Sequence, residues 1–231
     1  KMSKRHGATA LLDFRDMGYL PEAVLNFLAF MGWNPGTEQE LFTKDELIRA
    51  FSLENIGKAG AVFNIEKLNW FNREWIKKKI APGMLLEDRF AIEKIQKSLG
   101  LSEEVAIRAL PSVIERINTY NDLDNAEEFG FYKEVAEYDS ANLIWKKSDK
   151  EKTLAHLEKV KELLGSADFS SSETIKSAIW EYAESVGRGD VLWPMRYALS
   201  GKDKSPDPFT LAYIFGKDET ISRISRAIER L

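Results

Sequence analysis

The first five residues, Lys1-Met2-Ser3-Lys4-Arg5, place three cationic side chains on one short polar segment. Ammonium and guanidinium groups bind phosphate oxygens and can stabilise the negative charge that develops there during a reaction. A solvated basic terminus has the same composition. The five residues alone therefore leave a phosphate-binding loop and a plain charged end both open.

Every arginine, Arg116 and Arg196 among them, has the chemistry needed to contact an unpaired nucleobase. A guanidinium group can donate to the O2 atom of cytosine or uracil and can also bind phosphate. The alternative for each is an ion pair on the protein surface. Without further information, the residue type does not decide between them.

Two other basic groups have a simple structural explanation. The row Lys77-Lys78-Lys79 could contact phosphates, but lysines also stabilise the C-terminal end of a helix. Arg223, Arg226 and Arg230 recur at i, i+3 and i+7, which predicts one solvated face of a helix.

Cysteine and histidine usage excludes several kinds of site. The sequence has no Cys and only two His, His6 and His156, so it cannot form disulfides, a thiolate zinc site or a multi-histidine zinc site. We expect no metal site, and we assign neither histidine a role.

The composition is that of a folded protein. Apolar residues make up 44% of the 231 positions and charged residues 30%, which excludes an aromatic-poor disordered chain. No uncharged apolar stretch of about 18 residues occurs, and the first residues lack the apolar run of a signal peptide. We therefore predict a cytoplasmic protein with no membrane segment.

Apolar residues follow a helical period between recognisable start signals. Pro21 is predicted at the first turn of one helix, and Thr43 with Glu46 forms a capping box before another. Capping boxes are also predicted at Ser148 with Glu151 and at Ser170 with Glu173. The predicted fold class is mostly α, with helical bundles in series.

A boundary is predicted at Ala81-Pro82-Gly83, because helices seldom continue through such a sequence. Pro111 is expected to kink or restart a later helix. The stretch from Asp122 to Ser148 is the least periodic, and its aromatic residues predict packed, irregular structure.

Several segments, in order along the whole chain, resemble the bacterial glutamyl-tRNA synthetases, which are class I aminoacyl-tRNA synthetases. Lys1-Met2-Ser3-Lys4-Arg5 is similar to the second signature of class I, a mobile lysine-rich loop. The flanking matches are Arg5-His6-Gly7-Ala8, Gly18-Tyr19-Leu20-Pro21-Glu22-Ala23, Asn26-Phe27-Leu28-Ala29, Gly32-Trp33, Lys67-Leu68-Asn69-Trp70-Phe71-Asn72 and Trp193-Pro194-Met195-Arg196-Tyr197-Ala198-Leu199-Ser200-Gly201.

The resemblance implies three parts. Residues 1–82 would hold the signature loop and a stem-contact region, and residues 83–128 and 129–231 would be two helical anticodon-binding subdomains. Glutaminyl enzymes continue instead into β-barrels, so the helical pattern after Pro82 resembles the glutamyl type.

The resemblance also implies a reaction, the ATP-dependent formation of glutamyl-adenylate and transfer of glutamate to its tRNA. Lys4 would contact ATP and act as a catalytic residue together with Lys1, and Ser3 and Arg5 would complete the ATP-binding loop. The full enzyme would use Mg²⁺ with ATP. This chain lacks the family's nucleotide-binding fold, so we expect it to be inactive alone and to need no cofactor alone.

The implied partners are tRNA(Glu), with L-glutamate and ATP as substrates of the full enzyme, and we expect a monomer. Arg116 falls where the family reads the third anticodon base, and Arg196 matches a second reader. Ser205 and Pro206 fall in the stretch that lines the first base. Pro208 replaces a more usual apolar residue there, which is a departure from the family's pattern.

Two other functions stay open. The excess of acidic residues after position 80, 27 Asp and Glu against 21 Lys and Arg, permits a helical scaffold that only binds proteins. The tail of a tRNA-dependent amidotransferase would share a helical tRNA-binding role but would not begin with Lys-Met-Ser-Lys-Arg. Salt dependence separates RNA binding from an apolar protein interface.

Overall fold

The computed structural model describes residues 11–57, 62–80, 85–135, 137–146 and 148–231, with the backbone alone for residues 85–88. These residues form eleven α-helices and no strand; their one β-bridge joins Trp33 and Ile56. The helices are α1 (Leu11–Asp16), α2 (Pro21–Phe30), α3 (Lys44–Ala50), α4 (Ile65–Ile80), α5 (Leu85–Leu99), α6 (Glu103–Ile114), α7 (Ala126–Phe129), α8 (Lys150–Ser166), α9 (Ser172–Val186), α10 (Arg188–Ser200) and α11 (Pro208–Arg230). The mostly α prediction is confirmed.

The chain divides into two compact units. The first contains residues up to Ser98 together with Leu110–Asp124, and the second contains Leu99–Ala109 and Asn125–Leu231. No helix in the described parts of the chain is long and apolar enough to cross a membrane. The division into residues 1–82, 83–128 and 129–231 remains a prediction.

The core of the first unit forms where α2 packs against α4. Its buried members are Phe14, Ala23, Val24, Phe27, Leu68, Phe71 and Trp75. Proline begins α2, as predicted, and Thr43 and Glu46 form the predicted capping box at the start of α3. These start signals fix where each helix begins, and the apolar period then decides which face is buried.

Two buried asparagines tie irregular chain segments to these helices. Asn26 on α2 donates to the carbonyl oxygen of Phe42 at 2.7 Å and accepts from its amide at 2.8 Å. Asn72 on α4 accepts from the amide of Leu20 at 2.7 Å and donates to the carbonyl oxygen of Asn118 at 2.5 Å. Both side chains are fully buried, so their bonds replace those that water would make.

In the second unit, α8, α9, α10 and α11 pack against one another. Their facing side chains are apolar and fully buried, including Leu157, Val160, Leu164, Ile175, Ile179, Val191, Met195, Leu211, Ile214 and Ile224. Gly216 interrupts α11 with φ 74° and ψ 175°, a conformation open to glycine because it has no Cβ.

Arg223 on α11 corrects the prediction of a solvated basic stripe. Only 2% of the residue is exposed. Its guanidinium donates to the carbonyl oxygens of Phe131 and Leu199, each at 2.7 Å, and pairs with Glu219 at 2.7 Å. Burial lowers the pKa of Arg223 because the charged form loses its hydration.

Three other local predictions were wrong. Asp149, not Ser148, caps α8, and Ser171 with Thr174, not Ser170 with Glu173, forms the box that opens α9. Pro111 lies inside α6, which runs on to Ile114. Pro111 is exposed, whereas Ala106, Ala109 and Val113 are fully buried, and that burial holds the helix together across the lost hydrogen bond.

Candidate functional site

The predicted ATP-contacting residues Lys1, Ser3, Lys4 and Arg5 lie outside the described residues. His6 lies outside them as well. His156 forms a hydrogen bond between its Nδ1 and the hydroxyl of Tyr182 at 2.7 Å, which gives it a structural contact within the second unit. The described residues contain no cluster of His, Asp and Glu suited to a metal ion.

Arg116 follows α6 in a segment that is fastened to α4. Its amide donates to the carbonyl oxygen of Val113 at 2.9 Å, and its side chain is partly buried. Two residues later, Asn118 accepts from Arg73 at 2.8 Å through its side chain and from Asn72 through its backbone. The neighbouring Glu115 pairs with Lys77 at 2.8 Å. The backbone segment that bears Arg116 is therefore fastened to α4 by hydrogen bonds within the first unit.

The turn after Arg116 is shaped by one carboxylate. Asp122 accepts from the amides of Asn118 and Thr119 at 2.6 and 3.0 Å. Asn121 then donates to the carbonyl oxygen of Asp16 at 2.8 Å, where the chain turns at Gly18. A Cβ added to Gly18 would lie 3.0 Å from the Asn121 side chain, and its φ of 86° also favours glycine. The turn depends on polar side chains, not on apolar packing alone.

The three lysines at the end of α4 make ion pairs and a cation–π contact within the first unit. Lys77 pairs with Glu115 and Lys79 pairs with Glu22 at 2.9 Å. The ammonium group of Lys78 lies 4.7 Å from the centre of the Trp75 ring. These contacts favour the structural explanation of the row over phosphate binding.

Arg196 lies on α10 beside an aromatic side chain and a loop. Its guanidinium carbon is 4.9 Å from the centre of the Trp193 ring, and Nη2 donates to the carbonyl oxygen of Asp203 at 2.7 Å. Its other N–H groups make no hydrogen bond to the described residues. One side of the guanidinium is thus fixed by the protein and the remaining donors are available to a ligand.

The loop from Gly201 to Asp207 contains the predicted residues Ser205 and Pro206. Ser200, buried at the end of α10, donates to the hydroxyl oxygen of Ser205 at 3.1 Å and accepts from the amide of Lys202 at 3.2 Å. Asp207 then caps α11 by accepting from the amides of Phe209 and Thr210. The structure therefore brings Arg196, Ser205 and Pro206 into one loop region of the second unit. Arg116 belongs to the first unit.

Two tryptophan rings that pack at a tilt of 40° next to Arg196 were not predicted as part of the site. Trp145 and Trp193 have ring centres 4.9 Å apart, and the Trp193 indole donates to the carbonyl oxygen of Asn142 at 2.8 Å. The ammonium group of Lys146 lies 4.5 Å from the centre of the Trp145 ring. The aromatic residues of the irregular stretch signalled packing, but nothing in the sequence placed Trp145 beside Trp193. We call Lys146, Trp145, Trp193 and Arg196 the tryptophan stack.

Two known protein families match this chain. The family described as "Anticodon binding domain" matches residues 64–228, and the family described as "tRNA synthetases class I (E and Q), catalytic domain" matches residues 1–70. The first match covers more than half of the chain and includes Arg116, the tryptophan stack and the 201–207 loop.

Individual relatives agree with the family matches. The chain is 36% identical to a glutamate–tRNA ligase of Clostridium tetani (strain Massachusetts / E88), covering 100% of this chain and 47% of the relative. It is also 36% identical to one of Thermodesulfovibrio yellowstonii (strain ATCC 51303 / DSM 11347 / YP87), covering 99% and 50%. The chain spans about half the length of the curated relatives it matches.

A solved structure gives the same result. The crystal structure of a glutamate tRNA ligase from Elizabethkingia meningosepticum CCUG26117, in complex with its amino acid, has a TM-score of 0.79 to this chain at 31% identity, covering 100% of this chain and 49% of that one. The chain therefore belongs to the anticodon-binding-domain family, and along its whole length it aligns with the C-terminal half of glutamate–tRNA ligases.

Proposed function

We propose that this chain is the tRNA-binding part of a glutamate–tRNA ligase and that it contacts the anticodon of tRNA(Glu). The observation that carries the proposal is the setting of Arg196. Its guanidinium is fixed by Trp193 and by the carbonyl oxygen of Asp203, beside the loop that contains Ser205 and Pro206. A pre-positioned guanidinium can donate to the edge of an unstacked base without first losing its own conformational freedom.

The hydrogen bonds that fasten the loop at both ends support a role in selecting a base. Ser205 is fastened to α10 through Ser200, and Asp207 is fastened to the start of α11. Selection requires donors and acceptors that stay in place, because a wrong base is rejected only when it leaves polar groups unpaired. We propose that this loop lines the first anticodon base.

Arg116 is proposed as the contact for the third anticodon base. The segment that bears it is held by Asn72, Arg73 and Asp122, so its backbone position is well defined. An arginine here would favour the glutamate anticodon, as the family resemblance implies.

The activity of the whole protein is part of the proposal. The relatives are ligases, and the class I family uses ATP, so we propose that the complete enzyme attaches glutamate to tRNA(Glu) through an adenylate, with Mg²⁺ bound to ATP. Lys4, Lys1, Ser3 and Arg5 would contact ATP there. A cytoplasmic location, a monomeric state and the three-part domain division stay predictions.

Footprinting of the RNA tests the proposal directly. Unmodified tRNA(Glu) transcript would be probed with a backbone-cleaving reagent, with and without this 231-residue chain, at low and at moderate salt. We expect protection of the anticodon loop that is lost in Arg196→Ala. Protection elsewhere with an open anticodon loop would reject the anticodon contact. No protection at low salt would favour a protein-binding scaffold.

A further inference from the structure

The backbone at Lys146 is unusual. Its φ of 44° is the only positive value at a non-glycine residue among the described positions. The left-handed region is unfavourable for a residue with a Cβ, and glycine or asparagine would occupy it more easily. A lysine in such a conformation is a reason to look for a function of its side chain.

The side chain of Lys146 is exposed, and no carboxylate among the described residues neutralises it. It makes no ion pair with any carboxylate in the described ranges. Its ammonium group lies over the ring of Trp145. That ring packs at a tilt of 40° against Trp193, which in turn contacts Arg196. The stack thus places a second cation on a continuous surface with Arg196, in a part of the chain where acidic residues outnumber basic ones.

We propose that Lys146 binds a backbone phosphate of the tRNA anticodon loop, close to the base that Arg196 contacts. The inference rests on the proposed function. An ammonium group is a compact point charge without the planar geometry that reads base edges, so phosphate is its natural ligand in RNA. Alternation of cations and aromatic rings is also the usual composition of a surface for single-stranded nucleic acid.

The spacing limits which phosphate is bound. The three contacts from Lys146 through Trp145 and Trp193 to Arg196 measure 4.5, 4.9 and 4.9 Å, so the two cations are separated by no more than roughly 14 Å along the stack. At about 3.4 Å of rise per nucleotide, this distance corresponds to about four stacked nucleotides. The phosphate therefore lies within about four nucleotides of the base at Arg196.

The test measures binding of tRNA(Glu) transcript to this chain across a salt series. Lys146→Gln is expected to weaken binding about five- to tenfold at low salt and to reduce the slope of log affinity against log salt by about 0.7, the loss of one single-strand phosphate contact. Lys146→Arg should keep most of the affinity because it keeps the charge. Lys159→Gln, which removes a partly exposed lysine paired with Glu162, is the control for charge and should leave the slope unchanged.

Modified RNA locates the contact. A single neutral methylphosphonate linkage is placed in turn at each position around the anticodon. The neutral linkage at one position, within about four nucleotides of the base at Arg196, should weaken tRNA binding by the wild-type chain. The same linkage should not weaken binding by Lys146→Gln any further. If every position weakens both proteins equally, Lys146 does not bind phosphate.

A third variant tests whether the left-handed backbone at residue 146 serves the side chain or the fold. Lys146→Gly should lose affinity while its melting temperature stays equal or rises, because glycine accepts the left-handed backbone. Loss of both would indicate a structural role and overturn the inference.

If Lys146→Gln binds like wild type while Arg196→Ala binds weakly, the inference fails and the proposed function stands. If the wild-type chain binds no tRNA at low salt, both fail.

Discussion

The guanidinium of Arg223 donates a hydrogen bond to the carbonyl oxygen of Leu199 at 2.7 Å, deep between α11 and the end of α10. Leu199 immediately precedes Ser200, which fastens the loop that bears Ser205. The helix end that supports the proposed anticodon contact is therefore held by a buried cation on the next helix. The same guanidinium also binds the carbonyl oxygen of Phe131.

Arg223→Met should destabilise the protein by about 3 kcal/mol, because it leaves two buried carbonyl oxygens without donors and removes the shorter of the two ion pairs of Glu219. Arg226→Met is the matched control, since Arg226 is half exposed and contacts the same Glu219 at 3.4 Å. We expect the control to change the free energy of unfolding by no more than about 0.5 kcal/mol. Equal effects in urea unfolding of the two variants would contradict this account.

Gly189→Ala should disrupt the tryptophan stack. A Cβ at residue 189 would lie 2.1 Å from the indole nitrogen of Trp145, so this partly buried ring would have to shift away from its position against Trp193. We expect a loss of about 2 kcal/mol and a changed tryptophan emission spectrum. Gly165→Ala, where an added Cβ meets nothing within 4 Å, should instead stabilise α8 by about 0.5 kcal/mol. An unchanged spectrum in Gly189→Ala would show that the stack does not depend on this glycine.

Asn72→Ala should loosen the segment that bears Arg116. The change leaves the amide of Leu20 and the carbonyl oxygen of Asn118 without their buried partner, which costs about 2–4 kcal/mol. Amide hydrogen exchange of residues 116–119 should accelerate along with the loss of stability. Asn34→Ala removes an exposed asparagine whose side chain only accepts from Gly36, and it should have little effect on either measurement.

Stability should depend on pH through Glu46. The carboxylate accepts from the amide of Thr43 at 2.7 Å, and this hydrogen bond lowers the pKa of Glu46 from its ordinary 4.5. The contribution is complete above the pKa of the unfolded chain and is lost as pH falls through the lower folded value. The difference in unfolding free energy between wild type and Glu46→Gln should therefore be greatest near neutral pH and shrink below about pH 4.5. A difference that stays constant from pH 7 to pH 3 would exclude this origin; Glu54→Gln, outside any capping box, is the control.

Sequence patterns predicted the helices better than their exact starts. The apolar period identified α8, α9 and the end of α11, because one face of each is buried over several turns. The residue that caps each helix was missed by one position at α8 and α9, where serine, threonine and aspartate neighbours offer the backbone equivalent partners. Pro111 was misread because burial of the rest of α6 outweighs one lost hydrogen bond.

The candidate site was harder to predict than the fold. Arg116, Arg196, Ser205 and Pro206 came from family resemblance, since a lone arginine in a sequence has no mark that separates a ligand contact from an ion pair. The spacing of Arg223 with Arg226 and Arg230 suggested a solvated helix face. Arg223 is buried instead, and three backbone carbonyl oxygens from distant segments accept its hydrogen bonds. Trp145 and Trp193 are 48 positions apart, so only the packing of the folded chain brings them together.

The central claim is that this chain distinguishes anticodons. The most direct measurement is competition between tRNA(Glu) transcripts that differ only in the anticodon, with the wild-type chain and with Arg116→Ala and Arg196→Ala. We predict that the wild type prefers the glutamate anticodon and that each variant loses about 1–3 kcal/mol of that preference. Equal affinity of the wild type for all anticodons, or full selectivity in both variants, would contradict the account.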